Sequence, residues 1–159
     1  MQTSYAISAT RVPLPVRGVQ VLLAVIAISH LTVPIVMWAN QGALRDEIAS
    51  QHPDFSAGEV ARSADIAVTS AAVFHGVLLL LCALLIWKLS TARPWTRRLT
   101  AVSQLLSVVF SVFSWSSTPR FHAVIPIIGA IQILTVVLLW APQPARTFFA
   151  DGAQRATTV

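Results

Sequence analysis

The sequence predicts an all-α integral membrane protein, folded as a four-helix bundle with both termini in the cytoplasm. Three observations support this prediction: the composition, four long apolar stretches and an uneven distribution of Lys and Arg. Of the 159 residues, 55% are hydrophobic and 11% are charged, and the mean hydropathy is +0.71. Soluble domains have about a quarter of their residues charged. The composition therefore excludes soluble globular and disordered chains, and the single Cys excludes a disulfide scaffold.

Four stretches have the length and apolar character of membrane helices, because about 20 apolar residues are needed to cross the hydrocarbon core. Backbone polar groups in lipid must pair within their own segment, so each stretch is predicted to be helical. The predicted spans are residues 18–39, 66–87, 99–116 and 122–141. They form a transmembrane domain over 17–141, between an N-terminal cytoplasmic segment (1–16) and a C-terminal cytoplasmic tail without a clear pattern (142–159).

The outer loop, residues 40–65, contains five of the six acidic residues and has a net charge of −3. Its pattern predicts a short amphipathic helix up to His52, which Pro53 ends. Ser56 and Glu59 have the spacing of a capping box, so we expect a helix to begin there and continue into the second span. The loop is interpreted either as a solvated connector or as a docking surface for a partner.

Lys and Arg are concentrated on one side of the predicted spans. Eight of the eleven lie on that side and three on the other. Such an excess marks the cytoplasmic side, which predicts both termini inside a bacterial inner (plasma) membrane. Nucleic acid is not expected as a partner, because the basic residues flank spans and form no separate patch. The tryptophans fall at the predicted membrane interfaces and are expected to be interface anchors: Trp38, Trp87, Trp95, Trp115 and Trp140.

Small or weakly polar residues recur along helix faces, and helices in lipid associate through such faces. The predicted helix-packing residues are Ala72 and Gly76 in the second span, and Ser103, Ser107, Ser111 and Ser114 in the third. Gln20, Gln104 and Gln132 lie within or near the spans, and each has the groups to form a hydrogen bond across helices.

Two histidines lie within predicted spans. His30 precedes the outer end of the first span by nine residues, and His75 follows the outer start of the second span by nine. At 1.5 Å per residue, both lie about 13–14 Å below the outer edge. Consecutive spans are usually neighbours, so the two imidazoles are expected to face each other. They are the candidate cofactor-binding residues, for haem or a transition metal, beside the simpler interpretation of structural histidines.

The segment SADIAVTSAAVFHGVLLLLCALLIWKLSTARPWTRRL, with the acidic stretch before it, resembles a group of small four-span membrane proteins from actinobacteria. In that group an acidic outer loop leads into the second span and an Arg–Trp–Arg segment follows it; Arg93, Trp95 and Arg97 match that segment. The resemblance covers about half of the chain. It implies a four-helix membrane protein without an assigned activity, so no functional residue is transferred.

The sequence contains no signature of catalysis. No predicted span contains an acidic residue, and nucleotide loops, GxSxG, HExxH and paired CxxC are absent. We therefore expect no catalytic residue, no dedicated metal site, no cofactor and no enzymatic activity. The predicted function is an accessory or scaffold protein that binds a larger membrane partner in the lipid bilayer, or forms a homo-oligomer. Two alternatives remain: a haem- or metal-binding redox module at His30 and His75, and a small-molecule carrier or channel along the third span.

Overall fold

The computed structural model describes residues 11–115 and 122–157, and this part of the chain contains helices and no strand. The all-α prediction is confirmed. Six helices are described: α1 (Leu14–Ala39), α2 (Gln41–Gln51), α3 (Ala57–Leu89), α4 (Pro94–Ser114), α5 (Val124–Trp140) and α6 (Gln143–Thr157). The last residue of the third predicted span and the side chain of Ser114 lie outside what is described.

Two helices, α1 and α3, are long and apolar enough to cross a membrane. Their 26 and 33 residues correspond to lengths of about 39 and 50 Å. They coincide with the first and second predicted spans. Helices α5 and α6 meet the same test only as a pair, and that pair is bent by 63°. Four crossings and the positions of the termini therefore stay predictions.

The structure confirms the short helix and the capping box expected between the first two spans, but no residue of α2 is buried, so the predicted amphipathic character is not expressed as a packed face. Helix α2 ends at Gln51, just before Pro53. The Ser56 amide donates to Glu59 Oε2 (2.8 Å), and the Glu59 amide donates to Ser56 Oγ (3.3 Å), which is the reciprocal pairing of a capping box. The Ser56 hydroxyl also donates to Glu59 Oε2 (2.7 Å), and this bond, followed by the bond from the Ser56 amide, lowers the pKa of Glu59. Helix α3 begins at this box and continues through the second span.

The C-terminal segment departs from expectation. The predicted tail, residues 142–159, has no clear pattern in the sequence, but Gln143–Thr157 form α6, which contacts α4 and α5. The physical reason is an apolar face, since Ala145, Phe148 and Phe149 are all buried. Gly152 continues this face, and a Cβ there would collide with the carbonyl oxygen of Ala92.

Ala92 lies in the turn between α3 and α4 and has a φ of +57°, the left-handed region that a non-glycine residue rarely adopts. This conformation presents its carbonyl to the glycine of α6. The docking of α6 thus depends on its apolar face, on the glycine at 152 and on the left-handed turn at Ala92, and hydrophobic periodicity indicates only the first of these.

The described chain forms two compact units. We call Val21–Trp87 the acidic unit, because it contains five acidic and two basic residues, a net charge of −3. We call the part of the chain up to Gln20 and from Lys88 onward the basic unit. It contains nine basic residues and one acid, a net charge of +8.

Candidate functional site

The acidic unit brings together the two histidines that the sequence singled out. His30 Nδ1 and His75 Nδ1 are 3.0 Å apart, and the ring centroids are separated by 5.2 Å at an interplanar angle of 44°. His30 is 8% exposed and His75 is half-buried. The expected facing of the two imidazoles is therefore present.

Helical periodicity explains why both rings point inward. On α1, His30 follows the buried residues Leu23 and Ile26 at spacings of seven and four. On α3, His75 lies seven residues from both Val68 and Cys82, which are also buried. Residues seven apart occupy the same face of a helix. Each histidine thus belongs to the buried face of its own helix.

The facing nitrogens impose opposite tautomers on the two rings. A hydrogen bond between two Nδ1 atoms needs one ring protonated at Nδ1 and the other bare there. The donating ring then has a lone pair at Nε2, and the accepting ring has an Nε2–H. A second proton at the contact would turn both nitrogens into donors and break it. A hydrogen bond with a single proton therefore joins His30 of α1 to His75 of α3.

A metal ion fits this arrangement better than a haem. Metal–imidazole bonds are about 2 Å long, so two nitrogens on opposite sides of one iron are about 4 Å apart. The observed 3.0 Å instead corresponds to two ligands about a right angle apart on one ion. Among the described residues, no group of three or more His, Cys, Asp and Glu could hold a metal. Cys82 lies about 10 Å further along α3, too far to join the pair.

The predicted packing residues have mixed outcomes. Ala72 is exposed, and a Cβ on Gly76 would meet nothing within 4 Å. The close helix contact expected at these two residues is therefore not made within the described chain, because α3 buries the face that contains His75 and Cys82. In α4, Ser103, Ser107 and Ser111 are half-buried.

The basic unit contains a polar seam that the serine pattern did not predict. It consists of the buried residues Thr96, Thr100 and Gln104 of α4 and Gln132 and Thr135 of α5. The threonine hydroxyls of residues 100 and 135 donate to carbonyls of their own helices. The Thr96 hydroxyl and both glutamine Oε1 atoms have no hydrogen-bond partner in the described structure. The two Oε1 atoms therefore accept no hydrogen bond across helices, and Gln104 Nε2 donates to Ser103 Oγ on its own helix (3.4 Å). The four-residue spacing of Thr96, Thr100 and Gln104 is the sequence feature that indicates this seam.

All five tryptophans are exposed, as anchors at a membrane interface would be. One of them makes a contact that the sequence did not reveal. The Arg97 guanidinium carbon lies 3.8 Å from the centroid of the Trp140 ring, a cation–π contact. Arg97 Nε also donates to the Leu139 carbonyl (3.1 Å).

No family model, curated protein or solved structure matches the chain. The resemblance to small four-span membrane proteins therefore stays a prediction.

Proposed function

We propose that the chain is a non-enzymatic accessory protein of the bacterial plasma membrane, which crosses the bilayer four times with both termini inside and binds a larger membrane protein. Two helices with the length and composition of spans support the membrane part of this proposal. The distribution of Lys and Arg supports the orientation.

The observation that supports a partner is the uncovered small-residue face of α3. Ala72 and Gly76 form a small-x-x-x-small motif, which lets a second helix backbone approach closely in lipid. Ala72 and Ala83, on the same stripe, are exposed, and the space beside Gly76 is open. Close packing drives helix association in lipid, so this face is suited to a helix from another protein.

The test is affinity purification of the full chain after mild detergent extraction of its native membranes. We expect one partner at fixed stoichiometry, which Ala72→Leu and Gly76→Leu each release. Val77→Ile is the matched control, because Val77 is the exposed neighbour of Gly76 and should retain the partner. Recovery of the chain alone, recovery only as a homodimer, or a partner that persists in both leucine variants contradicts the proposal.

The orientation has a separate test. Reporter fusions at the C-terminus and within α2 should report opposite sides of the membrane, with the C-terminus inside. Fusions that report the same compartment contradict a multi-pass arrangement with α2 outside.

The 3.0 Å histidine contact favours a second candidate function, a module that holds one transition-metal ion between α1 and α3 for redox chemistry. The purified chain would then bind a stoichiometric metal with an absorption band that His75→Leu and His30→Leu each remove. His52→Gln is the control, because His52 lies outside the predicted spans. A chain without stoichiometric metal or haem absorption, also after incubation with Cu²⁺ or Zn²⁺, contradicts this candidate.

A further inference from the structure

Arg97 is held in place by three separate contacts at the start of α4. Its Nε donates to the Leu139 carbonyl (3.1 Å), and its guanidinium carbon lies 3.8 Å from the Trp140 ring centroid and 5.6 Å from that of Phe149. The contacts come from the end of α5 and from α6. They fix the position of a cation that is only half-buried.

A second arginine lies near the first, because Arg97 contacts Phe149 of α6 and Arg146 lies one helical turn before Phe149. Arg146 precedes Phe149 by three residues, so the two side chains are neighbours on the surface of α6. Burial, and then the charge of Arg146, lower the pKa of Arg97. Arg146 itself is exposed, so a ligand can reach the pair from outside.

The two arginines lack a carboxylate between them. In the described ranges, neither forms an ion pair with an acidic side chain, and Asp151 is the sole acid in the sequence after Asp65. Like charges held close together repel, and a shared anion removes that repulsion. Guanidinium groups match the geometry of phosphate oxygens in a bidentate manner.

We propose that Arg97 and Arg146 bind a phosphate group, supplied by the headgroup of an anionic phospholipid. The exposed Trp140 and Trp95 are residues typical of the membrane interface, where such headgroups lie. Basic pockets between membrane helices are known to hold anionic lipid headgroups. Phosphate binding by the two arginines does not depend on the proposed accessory function. The proposed orientation determines only which leaflet of the bilayer supplies the lipid.

The test uses the full chain in a neutral mild detergent, with the midpoint of thermal unfolding as the readout. Phosphatidylglycerol should raise the midpoint, and phosphatidylcholine should raise it much less. Arg146→Gln should increase the phosphatidylglycerol concentration needed for half of the effect about fivefold, the loss expected for one arginine at an anionic surface. Arg98→Gln is the matched control, because Arg98 is the exposed neighbour of Arg97 and should change that concentration less than twofold.

Inorganic phosphate forms a second arm of the experiment. Stabilisation by inorganic phosphate without an effect of phosphatidylglycerol overturns the lipid assignment, although the phosphate site would stand. Equal weakening by Arg98→Gln and Arg146→Gln overturns the site, since general surface charge would then explain the binding. The absence of any effect from both ligands also overturns it. Arg97→Lys adds a test that retains the charge, and it should weaken binding because lysine lacks the bidentate fork.

Discussion

The acidic and the basic units bury polar groups in different ways. In the acidic unit, the contact between buried His30 and half-buried His75 satisfies two ring nitrogens with one proton. In the basic unit, a seam of threonine and glutamine leaves three buried oxygens without a partner. An unpaired buried polar atom costs about 1–3 kcal/mol, whereas a paired one is a modest net gain. The histidine contact is therefore suited to joining two helices. The three unpaired oxygens of the seam can still accept a hydrogen bond from a further donor.

Charge separates the same two units. The net charge is −3 in the acidic unit and +8 in the basic unit. The acidic groups lie at α2 and at the start of α3, where Arg45 and Asp65 form an exposed ion pair (3.6 Å). Such a pair contributes little to stability. The basic groups include the stacked Arg97, whose contacts are more constrained. The arginines of the basic unit are thus better candidates for binding than the acids of the acidic unit.

The largest expected effect concerns the docking of α6 in the basic unit. Gly152→Ala places a Cβ against the Ala92 carbonyl, and overpacking of this kind costs about 1–3 kcal/mol. We expect a lower free energy of unfolding in detergent and faster proteolysis within α6. Gly42→Ala in α2 is the control from the acidic unit, because a Cβ there meets nothing within 4 Å. An unchanged Gly152→Ala protein would show that the glycine contact does not hold α6.

The next effect tests the histidine pair. His30→Leu and His75→Leu should each lower the free energy of unfolding by about 1–3 kcal/mol, with the larger loss for His75→Leu, because it leaves the more deeply buried His30 ring unpaired. The double variant should cost less than the sum of the single variants, since it removes both polar groups together. Unfolding by a denaturing detergent gives the three values. Strict additivity would show that the two rings do not interact in the folded protein.

Replacing an unpaired polar side chain of the seam should raise the free energy of unfolding, the opposite of the effect at the histidine pair. Gln132 is 2% exposed with an unpaired Oε1, so Gln132→Met, which retains the length of the side chain, should stabilise the chain by about 1 kcal/mol. Thr135→Val is the control, because the Thr135 hydroxyl is already paired with Ile131. A destabilised Gln132→Met protein would indicate that the seam holds a bound donor, the outcome that a carrier or channel would produce.

Local patterns made most of the acidic unit predictable. Proline fixed the end of α2, the spacing of Ser56 and Glu59 fixed the start of α3, and the equal depth of His30 and His75 indicated their contact. Each of these features depends on residues close in sequence or on helical rise alone. The sequence could therefore predict them without knowledge of how distant segments pack.

The basic unit was less predictable because its contacts join distant residues. The meeting of Gly152 with Ala92 depends on a left-handed φ in a turn, and Arg97 stacks on a tryptophan more than forty residues away. The position of Arg97 beside a predicted span indicates the orientation of the chain in the membrane, but it does not indicate that Arg97 stacks on Trp140. The apolar spacing of Ala145, Phe148 and Phe149 is present in the sequence, but it does not indicate which helices cover this face.

The smallest expected effect is a pH dependence confined to the capping box. The pKa of Glu59 is lowered because its carboxylate accepts hydrogen bonds from the Ser56 hydroxyl and amide. The contribution of these bonds is complete above the ordinary pKa of glutamate and is lost as the pH falls through the lowered value. We expect the protection factor of the Glu59 amide, which donates to Ser56 Oγ, to decrease on acidification through that range, after correction for the intrinsic exchange rate. Glu59→Gln retains an acceptor oxygen that does not titrate, so its exchange should lack this pH dependence beyond the intrinsic chemistry. If wild type and Glu59→Gln respond identically to acid, the ionised carboxylate does not stabilise the start of α3, and the cap depends on Ser56 alone.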